Sequence, residues 1–144
     1  MTRAMLLPAA LVVAGCVTQP GAPANDLLER YWRVVAIEGQ GVARRPGTRE
    51  LHIVLKREGS RVIGFAGCNS LAGTFEQDGG GLRFSDKLAM TRMACGGGGD
   101  ALEAAFTKAL LSTNSYRIAA DMLELRDAQG AARMILETRK DSYR

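Results

Sequence analysis

The stretch GFAGCNSLAGTF, residues 64–75, decides how this chain folds. It contains three glycines, which permit tight turns or the close approach of a second backbone: Gly64, Gly67 and Gly73. Asn69 is a residue type that hydrogen-bonds its own local backbone in an Asx-turn, and Cys68 can staple the turn to another part of the chain. We therefore expect a structural turn. The functional alternative is a polar pocket lined by Asn69, Ser70, Thr91 and Arg92.

Outward from this turn, short segments rich in β-branched, aromatic or alternating apolar residues predict strands. Upstream lie a strand at 31–37, a loop at 39–47 and a hairpin whose strands are 51–56 and 61–66. Downstream, the chain contains a second hairpin and four further strand-like segments, with predicted ranges 74–76, 82–84, 87–93, 116–119, 122–126 and 133–138.

One helix interrupts these strands. The run Gly96 to Gly99 breaks the chain, Asp100 is the predicted N-cap, and Glu103 is its capping-box partner. Apolar residues then recur at helical spacing, at Leu102, Ala105, Phe106, Ala109 and Leu110. The helix is predicted to end near Ser112. Many short strands with one amphipathic helix predict a mainly β, α+β fold, in which a small antiparallel, curled or barrel-like sheet carries one packed helix.

The beginning of the chain is typical of an export signal. Arg3 precedes an apolar run at residues 4–14, which is shorter than the roughly 20 residues that span a bilayer. Val13-Ala14-Gly15 before Cys16 resembles a bacterial lipobox. We expect residues 1–15 to be a lipoprotein signal peptide and Cys16 to be lipidated after cleavage. The alternatives are an ordinary secretory signal with an incidental cysteine, or a buried N-terminal strand.

The next residues separate this signal from the folded domain. Residues 16–25 combine the lipidated N-terminus with a flexible tether rich in Pro, Gly and Ala, whose reach is about 30 Å at most. The domain itself is predicted to occupy residues 26–144. Val17 follows the cysteine where an aspartate would favour retention in the inner membrane. We therefore expect an envelope protein anchored by its lipid, in the outer membrane and facing the periplasm.

The remaining cysteines form an even pair. With Cys16 assigned to the lipid, Cys68 and Cys95 are predicted to form a disulfide, because exported proteins fold in an oxidising compartment. A loop of this length gives about 3–4 kcal/mol of stabilisation in the chain-entropy treatment. A metal site or a reactive thiol is the alternative. A metal site needs more ligands, and the only histidine, His52, is distant in sequence and predicted to face solvent from its strand.

The charge distribution excludes one class of partner. The net charge of the whole chain is +4, and no basic run is longer than a pair such as Arg44-Arg45. Dedicated nucleic-acid binding needs a concentrated basic face, so we expect no nucleic-acid partner. The expected partners are the membrane, through the N-terminal lipid, and an envelope protein or a small apolar ligand.

Two segments resemble the signatures of a known family. GFAGCNSLAGTF is similar to the glycine–cysteine–asparagine motif of the META domain, or HslJ-like, family, and residues 89–95 resemble its second motif. Trp32 near the domain start and the helix residues Glu103, Phe106 and Leu110 fit the family's spacing. The resemblance covers residues 28–136, and its motif positions are Gly64, Gly67, Asn69, Gly73, Thr91, Arg92 and Met93. The chain departs from the family in its run of four glycines and at Ala120, where a glycine is common.

The resemblance implies a small β-rich, barrel-like domain with one helix. Members of the family are often envelope lipoproteins or secreted proteins. They have been linked to heat response, to antibiotic tolerance and, in some parasites, to motility and virulence. The resemblance implies no general molecular activity.

The residues themselves contain no recognisable catalytic arrangement, and we expect no enzyme activity and no cofactor. Ser70 lacks the G-x-S-x-G elbow of a nucleophile, and His52 is the only histidine. Arg92 is a candidate anion ligand near the start of the helix, but Asp100 already supplies negative charge there. Four methionines are expected to fill the core rather than bind copper: Met90, Met93, Met122 and Met134.

These observations favour a non-enzymatic, lipid-anchored envelope protein with a binding or protective role in envelope stress or drug tolerance. One alternative is a protein-interaction module, such as an inhibitor of a secreted hydrolase. Another is a lipocalin-like carrier of a small ligand.

Overall fold

The computed structural model describes residues 27–138. The predicted signal peptide, Cys16 and the tether lie outside these residues, as do residues 139–144. Leu27, the first described residue, is fully buried, so the packed domain has already begun at this point of the chain.

Within residues 27–138 the chain forms ten strands and one α-helix. In chain order they are β1 (Tyr31–Ile37), β2 (Gln40–Gly41), β3 (His52–Lys56), β4 (Arg61–Phe65), β5 (Ser70–Asp78), β6 (Gly81–Phe84), β7 (Ala89–Met90), α1 (Gly99–Leu111), β8 (Ser115–Ala119), β9 (Met122–Arg126) and β10 (Ala132–Thr138). The predicted antiparallel, mainly β fold with one helix is confirmed.

Eight of the strands close into an antiparallel barrel. Neighbouring strands pair in the order β1-β3-β4-β5-β6-β8-β9-β10, and β10 pairs back onto β1 with Trp32 opposite Thr138. The short strands β2 and β7 pair with β1 and β5 outside this circuit. Register shifts after Val34 and after Ala132 mark bulges, which bend strands and assist closure.

The interior of the barrel is filled by apolar side chains. Inward positions alternate along the strands, as expected for a sheet with one buried face, and the buried set includes Trp32, Val34, Ile53, Leu55, Val62, Leu71, Phe75, Leu82, Phe84, Leu123, Leu125, Met134 and Leu136. The indole N–H of Trp32 is buried and donates to the carbonyl oxygen of Leu27 at 2.9 Å. This bond satisfies a polar group that would otherwise be costly in the core.

Helix α1 adds its apolar side to the same core. Phe106, Ala109 and Leu110 are fully buried, and the helix contacts β1, β6 and β10. The predicted N-cap at Asp100 is wrong. The cap is Gly98, which has a left-handed φ of 85° and forms no side-chain capping bond. The run of glycines allows this entry into the helix, since such a φ is unfavourable for other residues.

Three smaller expectations also need correction. The strand predicted at 87–93 is only the two residues of β7, and the loop predicted at 39–47 contains β2. His52 does not face solvent; it is 9% exposed, because its ring stacks on Tyr31 at 4.4 Å between centroids.

The methionines divide between core and surface. Met134 is fully buried and Met90 packs against the core, but Met93 and Met122 are 65% and 37% exposed. The expectation of core packing is therefore wrong for Met93 and Met122.

Among residues 27–138, no helix combines the length and apolar character that a membrane crossing needs.

Candidate functional site

The two family-like segments meet at the start of helix α1. Cys68 and Cys95, 27 positions apart, are joined by a disulfide with a Cα–Cα distance of 5.7 Å. The predicted pairing is therefore present in the structure. Because Cys95 lies just before the helix and Cys68 just before β5, the bond ties the helix start to the barrel.

Asn69 lies at the centre of this junction and is 5% exposed. Its amide oxygen accepts bonds from the Met93 backbone N–H at 2.7 Å and the Thr91 hydroxyl at 3.0 Å. Its amide nitrogen donates to Glu103 Oε1 at 3.2 Å, and its backbone N–H donates to Glu103 Oε2 at 2.8 Å. One residue thus connects β5, the segment after β7 and the helix.

The local Asx-turn predicted for Asn69 is wrong for its side chain. The turn is closed instead by backbone, with the Ala66 N–H donating to the Asn69 carbonyl at 2.9 Å. This leaves the side chain free to bond residues 22 to 34 positions away. Gly67 makes the turn possible with a φ of 105°, which L side chains rarely adopt.

The other motif residues differ in their surroundings. Thr91 accepts a bond from the Ser70 N–H at 3.0 Å, so Asn69, Ser70 and Thr91 are brought together and bond one another. Arg92 and the side chain of Met93 are exposed at the surface instead. The alternative of a polar pocket lined by four residues corresponds in the structure to a bonded junction of three of them, with Arg92 outside it.

Two motif glycines lie close to a neighbouring segment, Gly64 to its backbone and Gly73 to the end of a side chain. A Cβ on Gly64 would lie 2.3 Å from the carbonyl oxygen of His52 on the paired strand, and one on Gly73 would lie 2.5 Å from a methyl carbon of Leu88. Any larger residue at these positions would have to displace its neighbour.

Ser70 and His52 are engaged in structural contacts. The Ser70 hydroxyl accepts a bond from Arg49 Nη1 at 3.0 Å. His52 Nδ1 lies 2.9 Å from the Glu50 carbonyl oxygen and donates to it. Burial lowers the pKa of His52, an effect opposed by the bond to the Glu50 carbonyl and assisted by the charge of Arg49. Within residues 27–138 no group of three or more His, Cys, Asp or Glu side chains is arranged to hold a metal ion.

A cleft of about 530 Å³ lies beside the disulfide. It is bounded by the end of β1, the loop between β2 and β3, and the glycine run before α1. We call it the end cleft, because β1 ends and β3 begins at this end of the barrel. Its apolar lining includes Val34, Ile37, Val42, Leu51, Leu102 and Ala105.

Charged side chains surround this apolar lining: Arg33, Glu38, Arg44, Arg45, Arg49 and Glu50. Four of them are paired with partners outside the cleft or with each other. Arg33 bonds Glu137 at 2.5 Å, Glu38 bonds Arg133 at 2.7 Å, and Arg44 Nε lies 2.9 Å from Glu50 Oε1.

The two remaining cations are Arg45 and Arg49. Arg49 lies over the ring of Phe65, with 4.6 Å between the guanidinium carbon and the ring centroid, in addition to its bond to Ser70. Within residues 27–138 neither Arg45 nor Arg49 has a carboxylate partner. The cleft therefore carries an excess of positive charge.

Sequence reasoning did not find this cleft. The sequence predicts only a loop at residues 39–47 and only a short basic pair at Arg44-Arg45. A usable signal was present, because Val42 and Leu51 flank a segment with three arginines. No local periodicity, however, indicates that this segment faces the glycines of residues 96–99.

The fold and the junction together define a class: a small closed β-barrel whose single helix is joined to it by a disulfide and a buried asparagine. The chain belongs to the META domain family, which it matches over residues 25–140. No curated protein shows significant sequence similarity to it.

Two solved structures share the fold. One is the NMR structure of a protein from Burkholderia xenovorans, with 23% identity and a TM-score of 0.63, covering 93% of this chain and 99% of that one. The other, also an NMR structure, has 20% identity and a TM-score of 0.61, covering 78% of this chain and 92% of that one. At this identity the similarity establishes the fold alone.

Proposed function

We propose that this chain is a non-enzymatic, lipid-anchored envelope protein that binds a small molecule in the end cleft. The observation that carries the proposal is the position of the cleft relative to the chain's entry into the fold. The Glu29 N–H donates to the Leu55 carbonyl at 2.8 Å, at the far end of β3. Leu51, which lines the cleft, is four residues away along the strand, or about 14 Å.

Both ends of the described chain lie at the start of β1, whereas the cleft is centred on the end of β1, although its lining extends back along this strand to Arg33. Trp32, close to the entry, pairs with Thr138 at the exit. A domain tethered through residues 16–25 would thus be held by one end of the barrel and open its cleft at the other. Such an arrangement leaves the cleft accessible from the periplasm, which suits the capture of small molecules near the membrane.

The packed barrel interior supports a site in the cleft rather than along the barrel axis. A lipocalin-like carrier holds its ligand inside the barrel, whereas here Trp32, Phe106 and Met134 are fully buried in a continuous apolar core. The cleft is instead bounded by loops, which tolerate variation and often carry binding residues. Its volume falls within the range of about 300–1,000 Å³ that is typical of small-molecule sites.

The non-enzymatic character is proposed from the contacts of the two residues best suited to chemistry. Ser70 and His52 each bond a different partner, Arg49 and the Glu50 carbonyl. Neither has the base-to-nucleophile bond that activates a serine. We therefore propose a protective binding role in envelope stress or drug tolerance.

The anchor is tested by intact-mass analysis of the protein extracted from membranes, with and without reductant. We expect cleavage after Gly15, acylation of Cys16 and a two-hydrogen difference on reduction of Cys68–Cys95. The variant Cys16→Ser should leave the membrane fraction. A mass that retains residues 1–15, or membrane association that survives Cys16→Ser, would refute the anchor.

The binding role is tested by complementing a deletion strain with cleft variants. Ala105 lines the cleft, while the adjacent Ala104 is exposed on the helix. We expect Ala105→Phe to fill the cleft and lose tolerance to heat or envelope-active drugs, and Ala104→Phe to retain it, with both variants melting as folded proteins. Equal tolerance of the two strains, or no effect of deletion, would refute the role.

A further inference from the structure

We propose that the end cleft selects amphipathic organic anions, that is, molecules with an apolar body and one anionic head group such as a carboxylate. This inference rests on the proposed binding function and names the class of ligand. It depends on the combination of an apolar lining with two cations, at the edge of the same cavity, that have no carboxylate partner among the described residues 27–138.

The apolar body is matched by six side chains contributed by three parts of the fold. β1 contributes Val34 and Ile37, the loop between β2 and β3 contributes Val42 and Leu51, and the helix contributes Leu102 and Ala105. Val34, Ile37 and Leu51 are at most 8% exposed, so an apolar chain would mainly cover the partly exposed Val42, Leu102 and Ala105. Removing that surface from water stabilises a complex by about 25 cal/mol per Å² buried. A ligand that was polar throughout would not gain this stabilisation.

The head group is matched by Arg45 and Arg49. The other charges of the cleft are already compensated, since Arg33, Glu38 and Arg44 each have a carboxylate or guanidinium partner. A guanidinium has five N–H donors in a planar fork that fits a carboxylate. Arg49 uses one donor for Ser70, and its other donors remain for a ligand.

Both arginines are held in place by contacts, Arg45 through its backbone and Arg49 through its side chain. The Arg45 carbonyl accepts bonds from the Thr48 N–H at 3.3 Å and the Thr48 hydroxyl at 2.8 Å, which close the turn that carries Arg45. Stacking on Phe65 restricts the Arg49 guanidinium. A restricted cation loses less entropy when it binds an anion.

Selection against cations follows from the same charges. A cationic head group next to Arg45 and Arg49 would meet like charge, and the carboxylate of Glu50 in the cleft lining already forms an ion pair with Arg44. A neutral alcohol would bury the same apolar body without the charge-assisted bonds, which are the stronger class. The expected order of affinity is therefore anion, then neutral molecule, then cation.

The test uses three probes with the same ten-carbon chain: decanoate, decanol and decyltrimethylammonium. The protein is the full chain carrying Cys16→Ser, titrated by calorimetry and followed by amide chemical shifts. We expect decanoate to bind at least tenfold more tightly than decanol, the cation to bind no more tightly than decanol, and the shifts to centre on Val42, Leu51, Gly97 and Leu102.

Variants assign the preference to the two arginines. Arg45→Gln combined with Arg49→Gln should remove the preference for decanoate over decanol while decanol binding persists. Arg92→Gln, an exposed arginine outside the cleft lining, should leave the preference intact. If the double variant and Arg92→Gln lost the preference for decanoate equally, the assignment of this preference to Arg45 and Arg49 would be overturned.

Three results would overturn the inference. They are equal binding of decanoate and decanol, chemical shifts centred away from the cleft, and no binding of any probe. The first leaves the cleft as a binding site for neutral molecules, so the proposed function survives it. The complementation test with Ala105→Phe judges that function separately.

Discussion

At the scale of single residues, Asn69 is the position on which most of the junction depends. Its side chain and backbone together bond Thr91, Met93 and Glu103 in a buried setting. Removal of one buried partner leaves the others without theirs, and each unsatisfied group costs about 1–3 kcal/mol. The asparagine therefore acts as a structural link between the two family motifs.

We predict that Asn69→Ala lowers the free energy of unfolding by about 3 kcal/mol, measured by urea denaturation of the oxidised protein. Gln77→Ala is the matched control, since the Gln77 side chain donates one bond, to the Tyr116 hydroxyl at 2.8 Å. We expect the control to lose about 1 kcal/mol. A loss in Asn69→Ala no larger than that in Gln77→Ala would show that the junction contributes little.

His52 gives the domain a pH-dependent stability. Burial places its pKa below the ordinary value of 6.5, while the unfolded chain keeps that value. As the pH falls below about 6.5, the unfolded chain binds a proton that the folded chain excludes, so stability declines until the pH passes the folded pKa. We predict that the loss between pH 7.5 and 5.5 is smaller in His52→Phe, measured by urea denaturation at both pH values. Parallel losses in the two proteins would contradict this assignment.

Some residue roles were predictable from the sequence, and others depend on distant neighbours. The Asx-turn expected at Asn69 occurs instead at Asp127, whose Oδ1 accepts bonds from the backbone N–H groups of Gln129 and Ala131 at 3.0 and 2.9 Å. Both residue types favour such turns. The partners of Asn69 belong to segments 22 to 34 positions away, and no local pattern encodes them. The same holds for His52, which is covered by Tyr31 of the neighbouring strand.

At the scale of elements, strands were predictable and their junctions were not. Segments rich in β-branched, aromatic or alternating apolar residues correctly indicated β1, the β3–β4 hairpin and the three strands after the helix. The helix body followed from its apolar spacing. The cap of the helix did not follow from the sequence. Glu103 accepts a bond from Asn69, and the glycine run determines how the chain enters the helix. These are tertiary effects that override a local capping signal.

The turn between β8 and β9 contains a strained residue. Ala120 has a φ of 52°, in the left-handed region that costs a non-glycine residue about 1–2 kcal/mol. We predict that Ala120→Gly raises the free energy of unfolding by about 1 kcal/mol, because the relief of strain exceeds the added entropy of the unfolded chain. Thermal melting and urea denaturation both measure this change.

The adjacent alanine provides the control. Ala119 is exposed at the end of β8 and lacks a positive φ, so Ala119→Gly should destabilise by about 0.5–1 kcal/mol. We therefore expect the two substitutions to change the free energy of unfolding in opposite directions. Destabilisation by both substitutions would mean that Ala120 is unstrained.

At the scale of the whole molecule, the decisive feature is the pairing of the first and last barrel strands. The sequence predicted a curled or barrel-like sheet but could not choose between an open and a closed one. Strand periodicity reports which face is buried and carries no information on which strand pairs with which. Pairing of Trp32 with Thr138 settles the choice. It also brings the two ends of the described chain together at the start of β1, whereas the end cleft is centred on the end of that strand.

Closure of the barrel predicts that the chain tolerates circular permutation. We expect a permutant that joins residue 138 to residue 27 by a short Gly/Ser linker, and opens the chain between Gly47 and Thr48, to fold with its disulfide formed. The linker has little distance to span, since the Leu27 carbonyl bonds Trp32 and Trp32 pairs with Thr138. The opening lies in an exposed loop, where new ends are tolerated, and all eight barrel pairings are kept.

A second permutant with the same linker, opened between Gly67 and Cys68, makes the comparison specific. This opening breaks the turn closed by Ala66 and Asn69, so we expect no cooperative melting and incomplete disulfide formation. Near-UV circular dichroism, thermal melting and thiol titration distinguish the two proteins. Failure of the first permutant alone would mean that the ends are not adjacent in solution. Equal folding of both would mean that the buried junction at Asn69 is not what holds helix and barrel together.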